Sequence, residues 1–148
     1  SFISAALADY TPSNNRSQMT LTEHNRLIVD AYNANPTSMA AALDSFTHIK
    51  ADRKMVILGD MKELGDVSHN EHLAILDRLT QSDLKQIWLV GSEFQQAVSE
   101  RPNPIVRKFP DVEAVKTFLS TPEGSLHDYT ILVKGSNSTR LTQLLPLL

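Results

Sequence analysis

The sequence contains no cysteine, which excludes disulfides, thiolate metal sites and a cysteine nucleophile and fits a reducing compartment. Lysine and arginine form no run and the net charge is −3, so we expect no nucleic-acid partner and no polybasic membrane patch. The longest apolar runs are strand-sized, far short of the roughly 18 residues of a membrane span. We therefore expect a cytoplasmic chain without membrane insertion.

The 148 residues alternate short apolar runs with amphipathic stretches, the pattern of a single α/β domain. The runs lie at residues 19–22, 27–29, 55–58, 87–90, 105–106 and 130–133. Apolar residues at helical spacing follow from Met39, Leu73, Phe94 and Val112, and a last helix is predicted through Leu141 and Leu145. Continuous apolar strands between such helices predict an α/β fold with an open, mostly parallel Rossmann-like sheet and helices on both faces.

Ligands of such folds gather at the carboxyl ends of the strands, and the loop after the first apolar run is rich in candidate groups. Asp30, Tyr32 and Asn33 combine a carboxylate, an aromatic ring and an amide, which suits a nucleoside. Asn35 followed by Pro36 is also what a helix start requires, so these two residues have a purely structural interpretation as a cap.

The loop at residues 134–138 offers Lys134, Gly135 and Ser136 in front of the predicted last helix. A cation, a glycine and a hydroxyl before free helix N–H groups can hold a carboxylate or a phosphate. A serine-capped turn is the alternative for Ser136 and Ser138. Lys134 closes an apolar strand and therefore needs an anionic partner or a route to solvent.

The loop at residues 59–65 has two glycines but lacks the Lys and hydroxyl of a phosphate-binding loop. Residues 68–71 have capping-box spacing and are expected to open the next helix. His69 and His72 have no third ligand at a spacing typical of metal sites, so a surface or capping role is favoured over a metal site.

Four segments together resemble the C-terminal domain of the Mur ligases. They are residues 14–18 (Asn-Asn-Arg-Ser-Gln), the Tyr-Asn-Ala-Asn-Pro stretch within residues 30–39, residues 58–65 (Leu-Gly-Asp-Met-Lys-Glu-Leu-Gly) and residues 133–136 (Val-Lys-Gly-Ser). The resemblance implies that residues 1–15 are the end of a central-domain helix and its linker, and that residues 16–148 are the C-terminal domain. One departure is Asn137, where the family usually has arginine.

The resemblance is greatest to members that join D-alanyl-D-alanine to UDP-N-acetylmuramoyl-tripeptide in peptidoglycan synthesis, with ATP and magnesium bound mainly by the central domain. It implies no catalytic residue and no metal ligand in this chain, and the central and N-terminal domains of the ligase as partners. The implied ATP-binding residues are Arg16, Asp30, Tyr32, Asn33 and Asn35. The implied dipeptide-binding residues are Gly91, Ser92, Glu93, Lys134, Gly135 and Ser136.

Two alternatives remain open at this point. A sister Mur ligase that adds another amino acid is disfavoured by the Tyr-Asn-Ala-Asn-Pro sequence of the first loop. A receiver-like signalling module would use Asp60 as phosphoacceptor and Lys134 as its compensating charge. Receivers need an acidic pair after the first strand, however, and only Asp30 is available there.

Overall fold

The computed structural model describes residues 17–30 and 34–148, in which the apolar runs form one six-stranded sheet. The strands are β1 (Ser17–Leu21), β2 (Arg26–Asp30), β3 (Lys54–Gly59), β4 (Gln86–Val90), β5 (Val106–Phe109) and β6 (Thr130–Lys134). Their order is β1-β2-β6-β3-β4-β5, and only the β1–β2 pair is antiparallel. The predicted mostly parallel sheet, with an added hairpin strand before β2, is confirmed.

Four α-helices connect the strands: α1 (Pro36–Thr47), α2 (Ser68–Thr80), α3 (Ser92–Glu100) and α4 (Val112–Leu119). The first three helices pack on one face of the sheet. The opposite face is covered by α4 and by a C-terminal 3₁₀ segment, Leu141–Leu147. Because both faces are covered, the central strands carry apolar side chains at consecutive positions rather than at alternate ones.

Trp88 on β4 shows how the second face is filled. Its side chain is fully buried, and its ring centroid lies 5.3 Å from that of Phe109 on β5 and 5.4 Å from that of Phe118 on α4. Tilted and edge-on aromatic pairs at such distances add to the stabilisation from apolar burial. The aromatic cluster therefore fixes α4 against the strands whose carboxyl ends carry candidate site residues.

The predicted last α-helix is instead 3₁₀. A short turn, Asn137–Thr139, is followed by Arg140 in the left-handed conformation, and then by the segment Leu141–Leu147. Pro146 lies within that segment, and a proline at this position of an α-helix removes one backbone hydrogen bond and clashes with the preceding turn. No helix among residues 17–30 and 34–148 is long and apolar enough to cross a membrane.

Candidate functional site

The carboxyl ends of β2, β3, β4, β5 and β6 lie along one edge of the sheet, and the described residues at these ends form the candidate site. The helices after β2 and β3 pack on one face, whereas the chain after β6 packs on the other. Since β6 lies between β2 and β3, the loops diverge on both sides of β6. In open α/β sheets, ligands bind in the crevice where neighbouring loops diverge in this way.

Two cavities open at this edge. The first, which we name the β6 pocket, has a volume of about 50 Å³, and its polar lining is Asp30, Lys134, Ser136, Asn137, Arg140 and Thr142. The second, which we name the β4–β5 pocket, has a volume of about 360 Å³ and is lined by groups that include Asp60, Lys62, Gly91, Ser92, Asp111 and Arg140. Arg140 is common to both cavities.

A buried ion pair forms the floor of the β6 pocket. Asp30 at the end of β2 and Lys134 at the end of β6 are partners in the parallel register. The Lys134 Nζ lies 3.1 Å from the Asp30 Oδ2, and the two side chains are 0% and 2% exposed. Lys134 Nζ makes no hydrogen bond within the described part of the chain, so the carboxylate is the partner that its burial requires.

This ion pair means that Asp30 and Lys134 cannot be assigned to two ligands independently of each other. The sequence assigned Asp30 to the nucleotide and Lys134 to the dipeptide, and the structure brings the two charges into direct contact. An ammonium has three donors, so Lys134 retains donor capacity after this pairing. The net charge of the pair, however, is zero.

Asp60, which follows β3, is a buried structural carboxylate. Its two oxygens accept hydrogen bonds from the backbone N–H groups of Glu93 (3.0 Å) and Phe94 (2.9 Å) in the first turn of α3. Gly91 has φ of 119°, and a Cβ at this position would lie 2.3 Å from the Asp60 carboxylate. Asp60 thus anchors α3 and requires glycine at the end of β4.

The geometry of Asp60 also removes the basis of the receiver alternative. A phosphoacceptor carboxylate has to present an oxygen to its phosphoryl donor. The Asp60 side chain is about 1% exposed, and both of its oxygens are occupied by backbone donors. We therefore discard the signalling interpretation.

His72 on α2 is fully buried, so the expected surface or capping role is wrong. Its Nε2 accepts a hydrogen bond from the backbone N–H of Met61 at 3.0 Å. Its Nδ1 therefore carries the proton and donates to the carbonyl oxygen of Ser68 at 2.7 Å. A neutral histidine in this position connects α2 to the loop that follows β3.

Ser68 does not form the predicted capping box. It is the first residue of α2, and the preceding Val67 makes no side-chain capping bond. The Ser68 hydroxyl instead donates to Glu93 Oε1 at 2.5 Å. The hydroxyl therefore connects α2 to the start of α3, and it holds the side chain of one predicted dipeptide-binding residue.

The loop after β6 passes very close to the end of β3. A Cβ on Gly135 would lie 2.9 Å from the Cα of Gly59, and a Cβ on Gly59 would lie 2.6 Å from the Thr139 hydroxyl oxygen. Glycine is therefore needed at both positions. Ser136 makes no side-chain cap, contrary to the capped-turn alternative, and its hydroxyl lies 3.0 Å from that of Ser138.

Asn35 has the helix-start role expected for it. Its side-chain oxygen accepts from the Ser38 backbone N–H at 2.8 Å, and the Ser38 hydroxyl accepts from the Asn35 N–H at 3.0 Å. The nucleotide-binding assignments of Arg16, Tyr32 and Asn33, and the linker assignment of residues 1–15, lie outside the described residues. Those assignments remain predictions.

Arg140 and Lys62 are charged residues at the site that the sequence did not single out. Both line the β4–β5 pocket. Lys62 Nζ lies 3.9 Å from the Asp60 Oδ2. Arg140 follows a serine-rich turn without any local pattern that would set the direction of its side chain, so only the three-dimensional arrangement reveals it.

The anchoring role of Asp60 gives a stability prediction. Asp60→Asn places an amide N–H₂ against one of two backbone donors, and we expect a loss of about 1.5–3 kcal/mol in the free energy of unfolding. Urea titration followed by Trp88 fluorescence measures this loss. The matched control is Asp111→Asn, because Asp111 is an exposed N-cap of α4 and asparagine caps equally well. Equal losses in the two variants would contradict the anchoring role.

Comparison with known proteins places this arrangement in a family. The family model of the Mur ligase C-terminal region, described as the Mur ligase, glutamate ligase domain, matches residues 15–137. The UDP-N-acetylmuramoyl-tripeptide–D-alanyl-D-alanine ligase of Rickettsia prowazekii is 33% identical over 93% of the chain, and that of Treponema pallidum is 38% identical over 82%. The chain covers only 30% and 27% of these two relatives.

Solved structures have the same fold. A crystal structure of MurF from Acinetobacter baumannii matches with a TM-score of 0.75 and 27% identity over 92% of this chain and 30% of that one. MurF ligase from Thermotoga maritima, solved in complex with ADP, matches with a TM-score of 0.69 over 95% of this chain and 32% of that one; at 20% identity this likeness concerns the fold alone. The chain belongs to the Mur ligase family and carries its C-terminal domain.

Proposed function

We propose that this chain is the C-terminal domain of an ATP-dependent ligase that adds D-alanyl-D-alanine to UDP-N-acetylmuramoyl-tripeptide during peptidoglycan precursor synthesis. The observation that carries the proposal is that relatives named for this activity align over 93% and 82% of the chain. The two polar pockets at the carboxyl edge of the sheet support it, since ligands of open α/β sheets bind at this edge.

The proposed reaction forms one amide bond at the expense of one ATP. The peptide carboxylate attacks the γ-phosphorus and releases ADP, which leaves an acyl phosphate. The amine of the dipeptide then attacks the acyl carbon, loses a proton and displaces inorganic phosphate. This chain would act by binding and orienting, because such transfers depend mainly on positioning and electrostatics.

We assign no magnesium ligand to the described residues. Within the ranges 17–30 and 34–148, no three histidine, aspartate or glutamate side chains converge as metal ligands. The sequence also lacks the Lys and hydroxyl of a phosphate-binding loop after Gly65. As the family resemblance implies, we assign ATP phosphates and magnesium mainly to the central domain of the full-length ligase, with the central and N-terminal domains as partners of this chain.

The nucleotide side of the proposed site lies after β2. Asp30, which is paired with Lys134, would accept from the ribose hydroxyls. Asn35 is exposed at the start of α1, and the predicted contributors Tyr32 and Asn33 precede it closely in the sequence. Arg16 would approach the phosphates. This side of the site would close over ATP only when the domain contacts the central domain. We place the ligase in the cytoplasm.

The dipeptide side of the proposed site uses the ends of β4 and β6. Gly91 and Ser92 line the β4–β5 pocket, where Ser92 is exposed, and Glu93 follows them in the sequence. Gly135 and Ser136 line the β6 pocket beside Lys134. A dipeptide has a cationic amine and an anionic carboxylate, which suits an edge of the sheet that carries both acidic and basic side chains.

The nucleotide assignment is tested with Asp30→Asn in the full-length ligase. Asparagine preserves the size of the side chain and keeps an oxygen that can accept from Lys134, although the charge of the pair is lost; alanine would remove the oxygen as well. Loss of one charge-assisted hydrogen bond of about 1.5 kcal/mol predicts a rise of roughly tenfold in the KM for ATP, with a smaller rise for the dipeptide. Steady-state phosphate release measures both constants. Asp44→Asn, an exposed change on α1, is the control, and an unchanged KM for ATP would remove Asp30 from the nucleotide site.

The activity itself is tested by the dependence of phosphate release on each substrate. We expect the full-length ligase to release phosphate only when ATP, the tripeptide nucleotide and D-alanyl-D-alanine are all present. A single amino acid replacing the dipeptide would identify the sister ligase instead. No release with any acceptor would contradict a ligase function.

A further inference from the structure

Arg140 lies at the carboxyl edge of the sheet, where two cavities meet. It lies between the 3₁₀ turn Asn137–Thr139 and the segment Leu141–Leu147, and it lines both the β6 pocket and the β4–β5 pocket. The residue is exposed. A flexible guanidinium at this point is available to a ligand in either cavity.

The backbone of Arg140 is unfavourable for a residue with a Cβ. Its φ and ψ are 55° and 35°, the left-handed region in which glycine and asparagine are the preferred residues. Glu63 and Asp128 are the other non-glycine residues with positive φ in the described ranges. A residue chosen only for the turn would be glycine or asparagine, so the arginine side chain calls for a separate explanation.

The charges of the two pockets decide which one an anion would enter. The charged residues lining the β6 pocket are Asp30, Lys134 and Arg140. Asp30 and Lys134 neutralise each other, whereas Arg140 forms no ion pair with any described residue, so the net positive charge comes from Arg140. The β4–β5 pocket has three acidic residues, Asp60, Asp111 and Glu113, against Lys62 and Arg140, and is net negative. An anion is therefore favoured in the β6 pocket.

We propose that Arg140 binds the terminal carboxylate of the incoming dipeptide at the mouth of the β6 pocket and sets the preference for an acceptor with a free carboxylate. The inference rests on the proposed function. A guanidinium holds a carboxylate through two parallel N–H donors. The volume of about 50 Å³ admits a carboxylate-sized group and leaves the rest of the dipeptide outside. Arg140 thereby supplies a positive charge that is not paired with a described carboxylate. Lys134 cannot supply such a charge, because it is paired with Asp30, and Asn137 is neutral.

The decisive variant is Arg140→Gly, because glycine removes the guanidinium and also suits the left-handed backbone. We expect the variant to unfold at the same or a higher temperature than the parent chain. In the full-length ligase we expect the KM for D-alanyl-D-alanine to rise about tenfold or more, the KM for ATP to change less than twofold, and kcat at saturating dipeptide to be retained. Arg140→Lys should restore part of the affinity, since it returns the charge.

An amide-capped dipeptide separates a carboxylate contact from a general effect on the loop. The parent enzyme should prefer D-alanyl-D-alanine over its C-terminal amide, and Arg140→Gly should lose most of that preference. Arg78→Ala is the control for loss of an arginine, because Arg78 pairs with Asp44 between α2 and α1. An equal rise in KM for both dipeptides, or a rise in the KM for ATP alone, would overturn the proposal.

A binding measurement distinguishes failure of this inference from failure of the proposed function. Amide NMR of the 148-residue chain titrated with D-alanyl-D-alanine should show shifts at residues 134–142 that are absent with the amide-capped dipeptide and in Arg140→Gly. These shifts without ligase activity would refute the function and retain the carboxylate site. Ligase activity without carboxylate-dependent shifts, or shifts that persist in Arg140→Gly, would refute the site alone.

Discussion

Replacing Lys134 by methionine is expected to lower the free energy of unfolding by about 3–5 kcal/mol, because it leaves the Asp30 carboxylate buried without its ammonium. Methionine fits the length of the lysine stem, so loss of packing contributes little. Urea unfolding followed by the fluorescence of Trp88, the one tryptophan in the sequence, measures the change. A loss of this size is a large part of the 5–15 kcal/mol that stabilises a typical domain.

A double-mutant cycle separates the ion pair from other effects of the substitution. Asp30→Asn combined with Lys134→Met removes both charges, so the double variant should be more stable than Lys134→Met alone. Lys108→Met, an exposed change on β5, should alter the stability by less than about 0.5 kcal/mol. A cost below about 1 kcal/mol for Lys134→Met would show that the Asp30 carboxylate does not depend on this ammonium.

The second large effect concerns activity. The 148-residue chain alone is expected to release no phosphate from ATP above the uncatalysed background, even with the tripeptide nucleotide and D-alanyl-D-alanine present. The reason is that the groups that would position phosphates and magnesium are assigned to the central domain, and such positioning supplies nearly all the acceleration in phosphoryl transfer.

The control for this prediction is the full-length ligase assayed at the same concentration and in the same buffer. Circular dichroism and the Trp88 emission establish that the isolated chain is folded in the assay. Phosphate release by the folded chain that requires both the tripeptide nucleotide and the dipeptide would contradict the assignment of ATP phosphates and magnesium to the central domain.

The sheet and its helices could be predicted because local pattern determines them. Continuous apolar runs such as residues 55–58 fit strands covered on both faces, and they form β3 as expected. Asn35 before Pro36 sets the start of α1 by contacts within one turn. For β3 and for the start of α1, residue types and spacing were sufficient.

Features that depend on distant parts of the chain could not be predicted. Asp30 meets Lys134 because β6 returns to lie between β2 and β3, and no local pattern encodes that order. His72 and Ser68 looked like surface or capping residues, yet packing of α2 against the β3 loop and α3 buries them. The left-handed Arg140 likewise depends on how the final 3₁₀ segment meets the sheet.

The amide product of the full-length ligase tests most directly whether this domain serves D-alanyl-D-alanine addition. The enzyme is offered ATP, the tripeptide nucleotide and an equimolar mixture of D-alanyl-D-alanine with single amino acids, and the product is identified by mass spectrometry. We predict one product, heavier than the tripeptide nucleotide by one dipeptide less one water, formed with one phosphate per amide. A product that carries a single amino acid, or phosphate release without an amide, would contradict the proposed function.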